Sequence, residues 1–83
     1  MASTRQADPR AAFGHAVRKL RHSKGISQEK LAEIAEIHRT YIGDVERGVR
    51  NVSLLNMSRI AVALDVPLST LIRDMEANPG VAK

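Results

Sequence analysis

The chain of 83 residues contains no cysteine and no tryptophan, and it has only one phenylalanine and one tyrosine. Without cysteine, neither a disulfide framework nor a thiolate metal site can form, and a reducing cytoplasm is the expected compartment. With so few aromatic side chains, aliphatic residues and methionine must fill the interior, as is typical of packed helices. A chain of this length is enough for one domain and not for two.

Long apolar runs are also missing. No stretch approaches the roughly 20 residues that a bilayer-spanning helix needs, and the first residues, MASTRQAD, lack the apolar centre of a signal peptide. His15 and His22 are too far apart in sequence to form the usual pair of metal ligands. There is no glycine-rich phosphate loop, and the chain is too short to surround a substrate pocket. We therefore expect no enzymatic activity, metal, cofactor, small-molecule ligand or membrane contact.

Basic residues exceed acidic ones, with 13 Lys and Arg against 9 Asp and Glu and a formal net charge of +4. This balance favours an anionic partner without proving one. Some of the basic residues form two groups, one in the first helical segment and one around the central motif: Arg18, Lys19, Arg21 and Lys24, and Arg39, Arg47 and Arg50. If the groups converge in space, they make a rim that binds phosphate. Alternatively, the residues on the first helix are its solvated face.

Capping residues and apolar periodicity predict five helices, at about 9–24, 28–35, 39–47, 54–64 and 68–77. Asp8 offers an N-cap before Pro9, and Gly25 can end the first helix in a left-handed conformation. Ser27 and Ser53 offer N-caps for the second and fourth helices. The predicted fold class is therefore all-α. Residues 1–8 are expected to be a flexible N-terminal segment, residues 9–77 the folded domain and residues 78–83 a C-terminal tail.

The segment from Gln28 to Arg47 has the apolar spacing of two short helices joined at a sharp angle, which is typical of a helix-turn-helix. Its expected buried positions are Leu31, Ala32, Ala35, Ile37, Ile42 and Val45. Ala32 is small where the two helices should cross most closely. The opposite, polar face of the third helix carries His38, Arg39, Thr40, Gly43, Asp44 and Arg47. Such a face can read base edges.

The fourth helix carries apolar residues on two sides. One face, expected to be buried, consists of Leu54, Met57, Ile60, Ala61 and Leu64. Leu55 and Val62 lie off that face. Together with one side of the fifth helix they predict a self-complementary patch for a twofold dimer, formed by Leu55, Val62, Leu68, Ile72 and Met75. The alternative is a slightly apolar surface or a wider core face.

From about Val17 to Ile72 the sequence resembles the lambda-repressor-like, Xre-type family of helix-turn-helix regulators. The likeness rests on three motifs in order, LRHSKGISQEKLA, RTYIGDVERG and NVSLLNMSRIAVALDVPLSTL. The segment RTYIGDVERGVRNVSLLNM looks most like the small controller proteins of restriction-modification systems, which bind DNA as dimers and regulate their own gene and the endonuclease gene. Phage repressors and antitoxins share the fold. The resemblance implies a five-helix lambda-repressor-like domain for DNA binding and dimerisation, with the helix-turn-helix at helices two and three.

The resemblance also implies roles for single residues. Gln28 would contact the DNA backbone, and Arg39 and Thr40 would reach base edges. Tyr41 and Arg47 would contact phosphate or adjacent bases, and the loop with Arg50 and Asn51 would approach the backbone. An arginine near the amino end of a helix in the major groove can present two N–H groups to a guanine, so Arg39 is the residue expected to recognise a base. Tyr41 could instead fill a gap in the core, although DNA contact is favoured. His38 could be an N-cap or a DNA contact.

Two further positions follow from the resemblance. Arg21 and Glu46 match a family pair that forms a buried or half-buried ion pair, with ordinary surface charges as the alternative. Glu36 stands where the motif usually has glycine. Because a side chain at positive φ lowers stability, either the turn differs slightly here or packing outweighs that cost.

The expected function is a sequence-specific DNA-binding transcriptional regulator that acts as a homodimer on an inverted-repeat operator in double-stranded DNA. It could be the controller protein of a restriction-modification system. The alternative is a DNA-binding antitoxin that uses Leu55, Val62 and its tail to bind a toxin protein. No effector domain is visible, so control by simple occupancy of a promoter is the expected mechanism.

Overall fold

The computed structural model describes residues 8–79, and the regular structure in that range consists of five α-helices. They are α1 (Pro9–Ser23), α2 (Gln28–Ala35), α3 (Arg39–Arg47), α4 (Leu54–Ala63) and α5 (Leu68–Ala77). The all-α fold class and the helix order are confirmed. Of the predicted terminal segments, residues 1–7 and 80–83 lie outside the described residues.

The ends of the described range are held by side chains. Asp8, assigned by the sequence to the N-terminal segment, accepts a hydrogen bond from the Arg10 amide at 3.0 Å. It also pairs with the Arg10 guanidinium, whose hydrogen bonds lower the pKa of the Asp8 carboxyl. At the other end, the Asn78 side chain donates to the backbone carbonyl and the carboxylate of Asp74. Asp8 and Asn78 are therefore part of the ordered domain.

Caps set the helix ends as predicted. Ser27 Oγ accepts from the Lys30 amide at 3.0 Å, and Ser53 Oγ accepts from the Asn56 amide at 3.1 Å. Each such cap contributes about 1 kcal/mol. Gly25, with φ 71°, follows the C-cap Lys24 and turns the chain back towards the core, as expected.

One apolar core joins all five helices. Its buried members are Phe13, Ala16, Val17, Leu31, Ala32, Ile42, Val45, Ile60, Ala61, Leu64 and Leu71. α1 packs against α3 and α5, α2 packs against α3 and α4, and α4 packs against α5. The buried positions predicted for the helix-turn-helix are confirmed, with Ile37 half-buried in the turn.

The structure corrects one predicted core residue and adds an unpredicted close approach. Leu54 was expected on the buried face of α4, but it is 69% exposed. It is the first residue of the helix, and helical side chains point back towards the N-terminus, so it projects beyond the core. Gly14 is buried where α1 crosses α3, and a Cβ there would lie 2.0 Å from the Val45 carbonyl oxygen. Only glycine allows this spacing.

In residues 8–79 no single helix is both long enough and apolar enough to cross a membrane. α4 and α5 reach the required length and composition only when taken together, and the chain bends by 104° between them.

Candidate nucleic-acid interface

The turn between α2 and α3 keeps the left-handed conformation in spite of its side chain. Glu36 has φ 59° and ψ 46° and ends α2, and the following amide of Ile37 donates to the Ala32 carbonyl at 3.0 Å. A non-glycine residue in this region costs about 1–2 kcal/mol. Ile37, half-buried against the core, offsets that cost by packing. The turn is therefore not altered at Glu36, and the structure supports the alternative in which packing outweighs the strain.

A nearly buried ion pair joins α1 to the end of α3. Arg21 Nε lies 2.7 Å from Glu46 Oε2, and Arg21 Nη2 donates to Glu46 Oε1 at 3.0 Å. The two side chains are 9% and 4% exposed, and a third bond runs from Arg21 Nη1 to the Ile26 carbonyl at 2.9 Å. The hydrogen bonds to Glu46 raise the pKa of the Arg21 guanidinium. The predicted Arg21–Glu46 pair is confirmed.

Gln28 extends this pair into a network across three helices. Its Nε2 donates to Glu46 Oε1 at 2.9 Å, so the first residue of α2 is tied to the last turn of α3. The predicted backbone contact Gln28 therefore lies within a network that sets the angle between the two helices. In residues 8–79 no buried side-chain nitrogen or oxygen lacks a hydrogen-bond partner, and satisfied polar networks of this kind favour one arrangement of the helices.

The amino end of α3 is open to solvent. His38, Arg39 and Thr40 are all exposed there. His38 occupies the N-cap position with extended backbone, but its side chain makes no capping hydrogen bond. Arg39, whose side chain is 58% exposed, has its Nε 4.0 Å from Glu29 Oε2, at the edge of ion-pair distance. The amides at a helix N-terminus attract phosphate oxygens, so this end of α3 suits an anionic partner.

The middle of α3 and the loop after it hold a cluster of two arginines around one carboxylate. Asp44 accepts a hydrogen bond from Arg47 on one oxygen and a hydrogen bond of 3.0 Å from Arg50 on the other. The Arg50 guanidinium lies over the Tyr41 ring, 4.4 Å from its centroid. Tyr41 is half-buried and packs against the core, as its packing alternative expected, while its ring also carries the Arg50 guanidinium. We call Tyr41, Asp44, Arg47 and Arg50 the arginine cluster.

Two predicted contact residues have surroundings that the sequence did not indicate. Gly43 is buried: a Cβ on it would lie 3.3 Å from Arg47 Nη1 and 3.9 Å from Gln28 Oε1. The Asp44 side chain is only 19% exposed and is occupied by the two arginines. Periodicity placed both on the polar face of α3, but it could not show that the long Arg47 side chain folds back over that face. Asn51, in the loop, is exposed.

Besides Arg21, one more basic residue of the group on α1 is paired with an acidic residue of another helix. Lys19 Nζ lies 2.9 Å from Asp74 Oδ1 of α5, so it belongs to an ion pair between helices. Arg18 and Lys24 are exposed, as the solvated-face alternative expected. Across residues 8–79, no three or more His, Cys, Asp or Glu side chains are grouped so that they could hold a metal ion.

The residues predicted for dimerisation fall into two sets. Leu55 and Val62 are 60% and 74% exposed on α4. Leu68, Ile72 and Met75 are half-buried against the core. Ile72 and Met75 also line a groove of about 260 Å³ with Phe13 and Met57, and Met57, two positions from Leu55, lies on another side of α4.

Comparison with known proteins gives consistent matches. The sequence model of a family described as helix-turn-helix matches residues 17–71. The control protein C.BamHI of Bacillus amyloliquefaciens is 53% identical over 64 residues, which are 76% of this chain and 79% of the relative. The control protein C.MunI of a Mycoplasma species is 41% identical over 70 residues, 83% of this chain and 95% of the relative. The crystal structure of the restriction-modification controller protein C.AhdI from Aeromonas hydrophila matches with a TM-score of 0.74 and 48% identity, covering 75% of this chain and 94% of that one.

Proposed function

Because the chain belongs to the helix-turn-helix family and is a DNA-binding transcriptional regulator, we propose that it is the controller protein of a restriction-modification system. Its family consists of DNA-binding regulators rather than enzymes. The similarity to C.BamHI and C.MunI covers most of this chain and most of each relative, which favours the same class of function over a shared fold alone. We further propose that it acts in the cytoplasm, as a homodimer on an inverted-repeat operator.

The observation that carries the proposal is the rigid presentation of α3. The network of Arg21, Gln28 and Glu46 holds α2 and α3 at a fixed angle, while the amino end of α3 stays open. A helix held in this way can enter the major groove with a defined orientation. Because the angle between the helices is already set, binding does not have to order the two helices relative to each other, and the entropic cost of association is lower.

We assign the residues of the proposed interface two roles: readers contact base edges, and positioners hold the domain on the DNA backbone. Arg39 and Thr40 are our proposed readers, since they lie exposed at the amino end of α3. The residues proposed to position the domain on the backbone are Gln28, His38, Tyr41, Arg47, Arg50 and Asn51. Gly43 and Asp44 act indirectly, the first by leaving room for Arg47 and the second by holding two arginines.

A dimer would supply the affinity that one small domain lacks. Two rigidly linked domains share the entropic cost of association, so the pair binds far more tightly than either domain. We propose that the exposed Leu55 and Val62 form the centre of the interface, with Leu68, Ile72 and Met75 nearer its edge. The two α3 helices of such a dimer would lie about 34 Å apart, one turn of DNA.

The proposal is tested by selecting bound duplexes from a random DNA pool, with light scattering of the free protein to measure its mass. A pool carried through the same cycles without protein is the control. We expect an enriched inverted repeat, a dimer mass, and occurrences of the repeat upstream of this gene and of an adjacent endonuclease gene. A protein that enriches no motif would overturn the proposal, whereas a partner chain that co-purifies with the protein would favour the antitoxin alternative.

A further inference from the structure

The arginine cluster contains a negative charge at a surface that must approach phosphates. Asp44 lies on the proposed DNA-binding face of α3, one helical turn before Arg47. Its two carboxylate oxygens accept from two different arginines, one on α3 and one in the following loop. A carboxylate so close to DNA repels the backbone, so its presence calls for a compensating role.

The geometry shows what Asp44 does to the two arginines. A guanidinium has five N–H donors, and the structure uses one Nη2 group of each arginine on Asp44. Both arginines therefore keep donors for a second acceptor while their positions are set. Arg50 is further restrained by the Tyr41 ring at 4.4 Å, and Arg47 lies across Gly43, where any Cβ would be in tight contact.

Asp44 also has an electrostatic effect: its negative charge weakens the attraction of the two arginines for DNA. Free arginines can follow a phosphate wherever it lies, and that is the basis of binding to DNA of any sequence. A shared carboxylate neutralises part of their charge and holds them in one arrangement. Only a duplex whose phosphates lie within reach of the remaining donors of both side chains then gains hydrogen bonds that offset this loss of charge.

From this we propose that Asp44 is a positioning residue that determines specificity, because it suppresses binding to non-operator DNA by restraining Arg47 and Arg50. The inference rests on the proposed function, since it requires an operator. It concerns an acidic residue that does not itself contact a base. Its consequence is measured as the ratio of operator affinity to non-operator affinity.

The test is the Asp44→Asn substitution, which removes the charge and keeps the shape of the side chain. Dissociation constants are measured over a range of salt concentrations for the selected operator and for a scrambled duplex of the same length and composition. We expect the variant to bind the scrambled duplex about fivefold more tightly, with a salt slope steeper by about one unit. Affinity for the operator is expected to change by less, so the specificity ratio falls.

Asp74→Asn is the matched control, because Asp74 is also a half-buried aspartate paired with a basic residue, Lys19, but it lies on α5. It makes the same change in net charge and is expected to leave the specificity ratio unchanged. Asp44→Glu restores the carboxylate and is expected to return affinity for the scrambled duplex to near the parent value. Thermal melts monitored by circular dichroism confirm that all variants are folded.

The possible outcomes separate this inference from the proposed function. A parent protein that prefers no duplex in the selection overturns both. A parent that prefers an operator, with equal specificity ratios for Asp44→Asn and Asp74→Asn, overturns only the role of Asp44. A fall in the ratio with Asp44→Asn alone, reversed by Asp44→Glu, supports it.

Discussion

The three arginines around α3 have two kinds of electrostatic environment. Arg39 is exposed and only at the limit of pairing with Glu29, so its guanidinium is available to a base. Arg47 and Arg50 share the carboxylate of Asp44 and are restrained by it. Arg39 is therefore best suited to select a base pair, and the other two are best suited to fix the domain on the backbone.

The division between reader and positioner predicts different losses for two alanine variants. Arg39→Ala is expected to flatten sequence preference at one base pair, losing about 1–3 kcal/mol of discrimination, because the paired contact to guanine disappears. Arg50→Ala is expected to weaken binding to all duplexes and to lower the salt slope by about one unit. Competition binding with operator variants and a salt titration measure the two effects.

Arg73→Ala controls for loss of one positive charge, since Arg73 is exposed on α5. It is expected to affect binding only weakly. If Arg39→Ala and Arg50→Ala both reduce affinity uniformly across sequences, the assignment of a reader and a positioner is wrong.

The Arg21–Glu46 pair predicts a large change in stability. Glu46→Ala leaves the nearly buried Arg21 guanidinium without its carboxylate and removes the bond from Gln28. The free energy of unfolding is expected to fall by about 3 kcal/mol, measured by urea denaturation. Glu76→Ala, at an exposed position on α5, should change it by less than about 0.5 kcal/mol. Equal effects of the two substitutions would contradict the structural role of the pair.

At the scale of the element, the helix-turn-helix has a strained residue in its turn. The packing of the residues on either side outweighs that strain. Glu36 is left-handed, with the half-buried Ile37 after it and the buried Ala35 before it. The apolar contacts of the flanking residues maintain the angle between α2 and α3, and the network of Arg21, Gln28 and Glu46 fixes it from the other end. The unfavourable residue is thus confined to one exposed position.

Glycine at position 36 should relieve this strain. Glu36→Gly is expected to raise the free energy of unfolding by about 0.5–1 kcal/mol, because glycine adopts positive φ without a steric penalty but loses more entropy on folding. Glu33→Gly is the control: it makes the same substitution inside α2, where it should lower the free energy by about 1 kcal/mol. Urea denaturation of both variants measures the two changes in the free energy of unfolding. A loss of stability in both would contradict the strain assigned to Glu36.

At the scale of the whole molecule, the small core and the exposed apolar residues of α4 belong together. The one core joins all five helices, yet Leu54, Leu55 and Val62 are 60% exposed or more. Exposed apolar residues on one short helix indicate an interaction surface. A second copy of the chain is the occupant that the proposed function requires.

Charging that surface should separate dimerisation from folding. Val62→Lys is expected to shift the protein from dimer to monomer in sedimentation velocity and to lower operator affinity by about a hundredfold, since the two domains then bind singly. Its melting temperature should stay near that of the parent at low protein concentration, because Val62 is 74% exposed. Ile34→Lys, at an apolar residue on α2 that is 48% exposed, is the control and should sediment as the parent does. A dimer that survives Val62→Lys would place the interface elsewhere.

Local signals determined most of the architecture. The N-caps Ser27 and Ser53, the left-handed Gly25 and the apolar periodicity of each helix act within a few residues, so they could be read directly from the order of residues. The buried apolar positions of α2 and α3 followed from the same periodicity, whereas the buried Gly43 did not. The pairing of Arg21 with Glu46 came from family resemblance, since nothing local relates two residues 25 positions apart.

Only the tertiary structure decided how the side chains meet. Gly14 is required because the backbones of α1 and α3 touch there, and Leu54 is exposed because the core ends before it. Asp44 became a restraint on Arg47 and Arg50 because the loop after α3 returns over Tyr41. Helical periodicity assigns a residue to a face, but the reach of long side chains and the distance between backbones depend on packing across elements. For that reason the sequence by itself determined which face of α3 is polar, while the folded chain decided which of its side chains are open to a partner.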